Sequence, residues 1–183
     1  MKKPTVREKI VATAIRLFYR QGYSNTGINQ IIAEADVSKS ALYQNFVSKE
    51  DLLMVYLDVT GEETLHFLRL AAARHMTPED KMIAIFDHLE GLVQQSDFYG
   101  CHFLNMVYEL PKEAVRVREQ LKKQKDNVRA LFVEILQPIQ KEELADDIYM
   151  LFEGALIANK VHESIWPIAR ARDIVRKLLQ VCL

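Results

Sequence analysis

The run Thr26-Gly-Ile-Asn-Gln-Ile-Ile-Ala-Glu-Ala-Asp-Val-Ser-Lys-Ser-Ala-Leu-Tyr43 admits few folds. Ile28, Ile31, Ile32 and Ala35 fall on one face of a short helix, and Thr26 stands where a side chain can cap it. Asp36-Val37 interrupts that pattern, and aspartate is among the few non-glycine residues that tolerate the left-handed backbone of a tight turn. Ser38 is placed to cap a second helix, in which Leu42 and Phe46 face inward. Two short helices across a tight turn make a helix-turn-helix, an arrangement that sets its second helix into the major groove of DNA.

A longer helix precedes the motif. Thr5 with Glu8 three residues on is a capping box, and Gly22 suits a helix end that needs a left-handed residue. The stripe Val6, Ile10, Ala14, Leu17 and Phe18 between them predicts a three-helix unit closed around Phe18, Ile31, Val37, Leu42 and Phe46. Helical patterns continue to the end of the chain. They predict helices from Ser48 to about Arg74, from Thr77-Pro78 to about Gln95, over Cys101–Leu110, from Pro111 to about Leu136, over about Glu142–Ser164 and over Pro167–Val181. No strict alternation of apolar and polar residues argues for a sheet. The fold class is therefore all-α with about nine helices, divided into a head over residues 1–48 and a helical body over 49–183.

Charge supports a division of labour. The chain of 183 residues carries a net charge of −1, yet residues 1–50 hold eight Lys and Arg against four Asp and Glu. A basic head on an acidic body suits a protein that meets phosphate at one end only. Cys101 and Cys182 form no metal or disulfide spacing, which fits a reducing cytoplasm. Arg7, Glu8, Lys9 and Arg16 break up any apolar core of an export signal after Met-Lys-Lys, and no apolar run is long enough for a bilayer.

The segment Ile10–Leu53 resembles the DNA-binding domain of the TetR family of bacterial transcriptional regulators. The matching residues are Leu17-Phe18, Gly22-Tyr23, Thr26, Ile31, Ala35, Val37-Ser38-Lys39, Leu42-Tyr43, Phe46 and Ser48-Lys49-Glu50, in the family's order and spacing. Three positions depart from it: Asp36 and Ser40 replace common glycines, and Ile32 replaces a small alanine. The resemblance implies a DNA-binding head, a C-terminal ligand-binding and dimerisation domain, and phosphate contacts from Tyr43 and Lys49.

The residues themselves add candidates. Lys39, Ser40 and Ala41 open the recognition helix, where Lys39 can donate to guanine and the Ala41 methyl can meet a thymine methyl. Gln44 and Asn45 are further readers, Thr26 offers a hydroxyl and N–H to phosphate, and Asn29 sits on the outer side of its helix. The resemblance also implies a homodimer through the last two helices. Helix 142–164, with Leu144, Ile148, Leu151, Phe152, Ala155 and Leu156, and helix 167–181, with Ile168, Ala171, Ile174, Val175, Leu178 and Leu179, carry apolar stripes wide enough for it.

For an effector, Gly100-Cys-His-Phe-Leu-Asn-Met-Val-Tyr-Glu109 is similar to a Gly-Cys-x-x-x-Asn-x-x-x-Glu pattern in branches of the family. It nominates Cys101, His102, Phe103, Asn105, Tyr108 and Glu109, joined by His66, Phe67, Leu70, Phe86 and Trp166, as ligand contacts around a small molecule of unstated identity. Met82, Leu89 and Phe132 are further apolar walls.

Catalysis finds no support. Cys101 and His102 are adjacent on a helix and point about 100° apart, so they do not face each other as nucleophile and base. No phosphate-binding glycine loop or paired metal-ligand spacing is present, and no cofactor or metal is implied. The reading is a DNA-binding transcriptional regulator, a homodimeric repressor released from a palindromic operator by a small molecule and not an enzyme. The alternative is a ligand-independent or architectural DNA-binding protein, switched by a protein partner or by oxidation of Cys101.

Overall fold

The computed structural model describes residues 3–180. Cys182, and Val181 at the end of the last expected helix, lie outside the described residues, as do Met1 and Lys2. Nine α-helices make up the secondary structure of the described residues, with one short 3-10 turn and no strand. They are α1 (Val6–Gln21), α2 (Ile28–Ala35), α3 (Lys39–Asn45), α4 (Lys49–Ala73), α5 (Pro78–Val93), α6 (His102–Glu109), α7 (Val115–Leu136), α8 (Leu144–His162) and α9 (Trp166–Gln180).

Local capping chemistry sets most of these boundaries. The Thr5 hydroxyl accepts from Glu8 N–H while the Glu8 carboxylate accepts from Thr5 N–H at 2.7 Å, the reciprocal box expected of these residues. Ser38 accepts from Ala41 N–H at 3.1 Å, Thr77 from Asp80 N–H at 3.0 Å, and Pro78 occupies the first turn of α5. Asp36 ends α2 at φ 53°, ψ 56°, the left-handed turn read from the sequence.

Two boundaries fall elsewhere. Pro111 does not open α7, which begins at Val115. Residues 111–114 form a turn in which the Pro111 carbonyl accepts from the Ala114 N–H at 3.2 Å, and Arg118 donates to the carbonyls of Leu110 and Pro111 at 2.8 and 3.0 Å. Thr26 does not cap α2 either: the N-cap is Gly27, with no side-chain hydrogen bond.

The chain divides into two compact units, residues 1–61 with 101–124, and residues 62–100 with 125–183. The unit that holds the helix-turn-helix thus extends past the expected boundary at residue 48. Its core shows why: Phe18, Ile31, Leu42 and Phe46 share one cluster with Leu52, Leu53, Tyr56 and Leu57 of α4, with Phe103 and Met106 of α6 and with Val117 and Leu121 of α7. Three short helices alone would leave much of that apolar surface in water. The aromatic centre is ordered by edge contacts of Phe18 with Tyr23 at 5.2 Å and with Tyr56 at 5.6 Å between ring centroids.

The second unit packs α5, α8 and α9 with the C-terminal part of α4 and most of α7. Phe152 meets Phe86 and Phe132 edge-on at 5.9 and 5.6 Å, and Ile85, Ile148, Ile168 and Val175 are fully buried. The Asn159 amide donates to the Ser164 carbonyl at 2.9 Å and fixes the corner between α8 and α9. Glu163 takes the left-handed conformation there, at φ 48°.

Candidate nucleic-acid interface

The helix-turn-helix presents its outer face through a simple alternation of roles. Leu42 is fully buried and Phe46 nearly so, which anchors α3 and turns Lys39, Ser40, Tyr43, Gln44 and Asn45 outward. Ala41 is half-buried beside them. Tyr43 is 47% exposed, so it is not a core aromatic. Among the described residues no hydrogen bond or ion pair engages the Lys39 ammonium. The amides of Gln44 and Asn45 reach back along the helix, to Ser40 Oγ at 3.4 Å and to the Ala41 carbonyl at 2.8 Å. Asn29 is exposed on the first turn of α2.

Thr26 departs from its expected role as a phosphate ligand. Its side chain is fully buried; the hydroxyl donates to the Gly22 carbonyl at 2.7 Å and the backbone N–H donates to Tyr23 O at 3.1 Å. The residue closes the α1–α2 corner instead. With Gly27 as cap, no side chain caps the N-terminus of α2, the positive end of the helix. The sequence did signal this through Gly27, which follows the threonine that draws attention.

Lys49 lies at the start of α4, against the same corner. Its ammonium donates to the Tyr23 carbonyl at 2.6 Å and sits 4.0 Å from the centre of the Tyr23 ring. Partial burial lowers its pKa, and the Glu109 carboxylate opposes that shift. Glu109 reaches this corner from α6 and accepts from the Ser24 N–H at 2.8 Å. The carboxylate nominated as an effector contact therefore belongs to the head.

The other effector candidates scatter. His102 is bonded to Tyr56 at 2.8 Å and stacked on Tyr19, Phe103 and Phe86 are buried in separate cores, and Tyr108 is 77% exposed. Cys101 caps α6 without a side-chain cap bond, and Asn105 donates its N–H to the Cys101 carbonyl one helical turn back. Met82, Leu89 and Phe132 are core residues. Trp166 is 53% exposed, its ring 5.4 Å from that of His162. Phe67 and Leu70 line a groove of about 360 Å³ between α4 and α5 with Arg74, His75, Ala84 and His88. The His66 ring lies 5.7 Å from that of Phe67, between centroids, and does not line the groove. A second cavity of about 510 Å³, lined by Phe98, Tyr99, Gly100, Asn159, Lys160 and Ile165, was not foreseen. Among the described residues no cluster of His, Cys, Asp or Glu could hold a metal ion, and no helix is long and apolar enough to cross a membrane.

The outward side of α8 carries exposed apolar residues. Met150, Ile157 and Val161 are 72%, 39% and 71% exposed, Gly154 lies among them with open space beside it, and Ile165 and Trp166 continue the patch.

Residues 10–54 match the family described as bacterial regulatory proteins, tetR family. The chain is 47% identical to the HTH-type transcriptional regulator LmrA of Bacillus subtilis over 97 residues, 53% of this chain and 47% of that protein. It thus spans about half the length of that relative. Against the HTH-type transcriptional repressor DhaR of Mycobacterium sp. (strain GP1), identity is 23% over 98% of this chain and 94% of that one. In fold the chain is similar to the crystal structure of SCO4454, a TetR-family transcriptional regulator from Streptomyces coelicolor, with a TM-score of 0.88 at 24% identity over 98% of this chain and 92% of that chain.

Proposed function

We propose that the chain is a TetR-family DNA-binding regulator and not an enzyme, a homodimeric transcriptional repressor released from a near-palindromic operator by a small molecule, a reading supported by the match of residues 10–54 to that family and by the likeness to LmrA. The observation that carries this reading is the outer face of α3, where Lys39, Ser40, Tyr43, Gln44 and Asn45 are all exposed around the buried Leu42.

In this reading Lys39, Ser40 and Ala41 meet base edges in the major groove, with Gln44 and Asn45 beside them. Tyr43, Lys49, Asn29 and the open N-terminus of α2 hold the phosphates that set the register. Two copies join through α8 and α9, covering Met150, Ile157 and Val161, and so present two recognition helices to half-sites one helical turn or more apart. The effector occupies the groove between α4 and α5, whose volume of about 360 Å³ suits a small organic molecule. Binding there favours the conformation with less affinity for the operator. The protein acts in the cytoplasm, where the duplex is.

Selection of genomic fragments by the purified protein, followed by footprinting, tests this directly. A protected, near-palindromic site supports it. Equal retention of all fragments with no footprint sinks it in favour of an architectural role.

A further inference from the structure

An acidic side chain beside a phosphate-binding surface weakens binding by simple repulsion, so its presence there calls for a reason. Glu109 is such a residue. Oε2 accepts from the Ser24 N–H at 2.8 Å, a charge-assisted bond between residues 85 apart in sequence. The same carboxylate lies against the backbone of Gly22, so close that a Cβ there would stand 2.8 Å from Oε1. Tyr23, between these two residues, holds Lys49: its carbonyl accepts from the ammonium at 2.6 Å and its ring lies 4.0 Å beneath. One bond uses one of the three ammonium donors, which leaves two for a phosphate. At the other end of α6, His102 stacks on Tyr19 of α1 and is bonded to Tyr56 of α4. The short helix is pinned at both ends to the elements that carry the corner.

We propose that Glu109 is a positioning residue for DNA binding, whose carboxylate fixes the Gly22–Ser24 corner and through Tyr23 sets Lys49 where it meets a phosphate. This rests on the reading of α2 and α3 as a duplex-binding surface. Loss of the carboxylate frees the corner, and Lys49 then contributes little, although the surface has become less negative.

The test is fluorescence anisotropy of the full chain with a random-sequence duplex, over a range of salt and well below the melting temperature of each variant. Glu109→Ala is expected to bind several-fold more weakly, with the slope of log affinity against log salt reduced by about 0.9, one phosphate contact. Glu109→Asp keeps the charge but withdraws it from Ser24, and is expected to behave like Glu109→Ala. Glu109→Gln keeps an oxygen for the Ser24 N–H and is expected to restore most of the affinity. The double variant Glu109→Ala/Lys49→Ala is expected to bind no more weakly than Lys49→Ala, because the two act as one unit.

Tighter or unchanged binding by Glu109→Ala and Glu109→Asp, or a double variant in which both losses add, overturns the proposal. So does a lower melting temperature with an unchanged salt slope, the mark of a merely structural role. If the native chain itself shows no salt-dependent affinity for the duplex, the duplex-binding reading fails first, and that result is distinct from any behaviour of the variants.

Discussion

The hydroxyl of Tyr56 lies 2.8 Å from Nδ1 of His102, and the imidazole stacks on the ring of Tyr19 with centroids 3.9 Å apart. One histidine thus joins α1, α4 and α6 inside the unit that carries the helix-turn-helix. Burial pushes the Tyr56 hydroxyl up and the imidazole down to about 4, so both groups stay neutral near pH 7.

That shift makes the fold sensitive to acid. Above pH 6.5 His102 is neutral in both the folded and unfolded chain and contributes nothing. As the pH falls, the unfolded chain takes up its proton first, so stability declines from about pH 6.5 to about 4, by up to about 3 kcal/mol. Below that window the histidine adds no further loss, and the carboxylates that Arg16, Arg116 and Arg129 hold low (Glu34, Asp51 and Asp146) take over with the same sign. Urea unfolding at pH 7, 5.5 and 4.5 is the measurement. His102→Gln, which can still pair with Tyr56, is expected to lose most of the pH dependence in this range, and an unchanged slope would remove His102 from the account.

Gly22 and Gly91 give opposite outcomes on substitution by alanine. Gly22 sits at φ 90°, ψ 157°, a region nearly closed to other residues, with Glu109 against it. Gly22→Ala is expected to cost about 1–3 kcal/mol. Gly91, exposed in the last turns of α5 with open space around it, is expected to gain about 0.5–1 kcal/mol as alanine. Thermal melts that moved both in the same direction would contradict the backbone argument.

Tyr43→Phe removes only an exposed hydroxyl. It is expected to leave the melting temperature unchanged and to weaken binding to operator and random duplex alike, by about 1 kcal/mol. A loss confined to the operator would make Tyr43 a base reader.

The apolar side of α8 yields a test of assembly. Met150 and Val161 are 72% and 71% exposed, so glutamate at either site leaves the subunit core untouched. Met150→Glu with Val161→Glu is expected to sediment as a monomer while keeping its helix content. A dimer of native stability in that variant would place the interface elsewhere.

What was legible in the sequence was what acts within one turn of helix. Thr5 with Glu8, Ser38 with Ala41 and the left-handed Asp36 each depend on neighbours three or fewer residues away, and each forms as read. Thr26 shows the limit even at short range, because its hydroxyl had two nearby options and took the Gly22 carbonyl over the helix start. Amphipathic stripes announce that a face is buried but not against what. Leu52, Leu53, Tyr56 and Leu57 close the head and so move the boundary beyond residue 48. Glu109 was the least legible: a carboxylate in a suggestive motif reads as a ligand contact until its partner at Ser24 is located.

The unit that carries the helix-turn-helix is built from two stretches of chain, residues 1–61 and 101–124, with all of 62–100 between them. On a ribosome, the first three helices therefore emerge long before the α6 and α7 residues that complete their core. Until Val117 and Leu121 have left the exit tunnel, the nascent head exposes apolar surface and lacks the Glu109 contact at its corner. Its finished form is thus a late event in synthesis, and a transcript cut short after residue 61 would yield the complete recognition helix on an incomplete support.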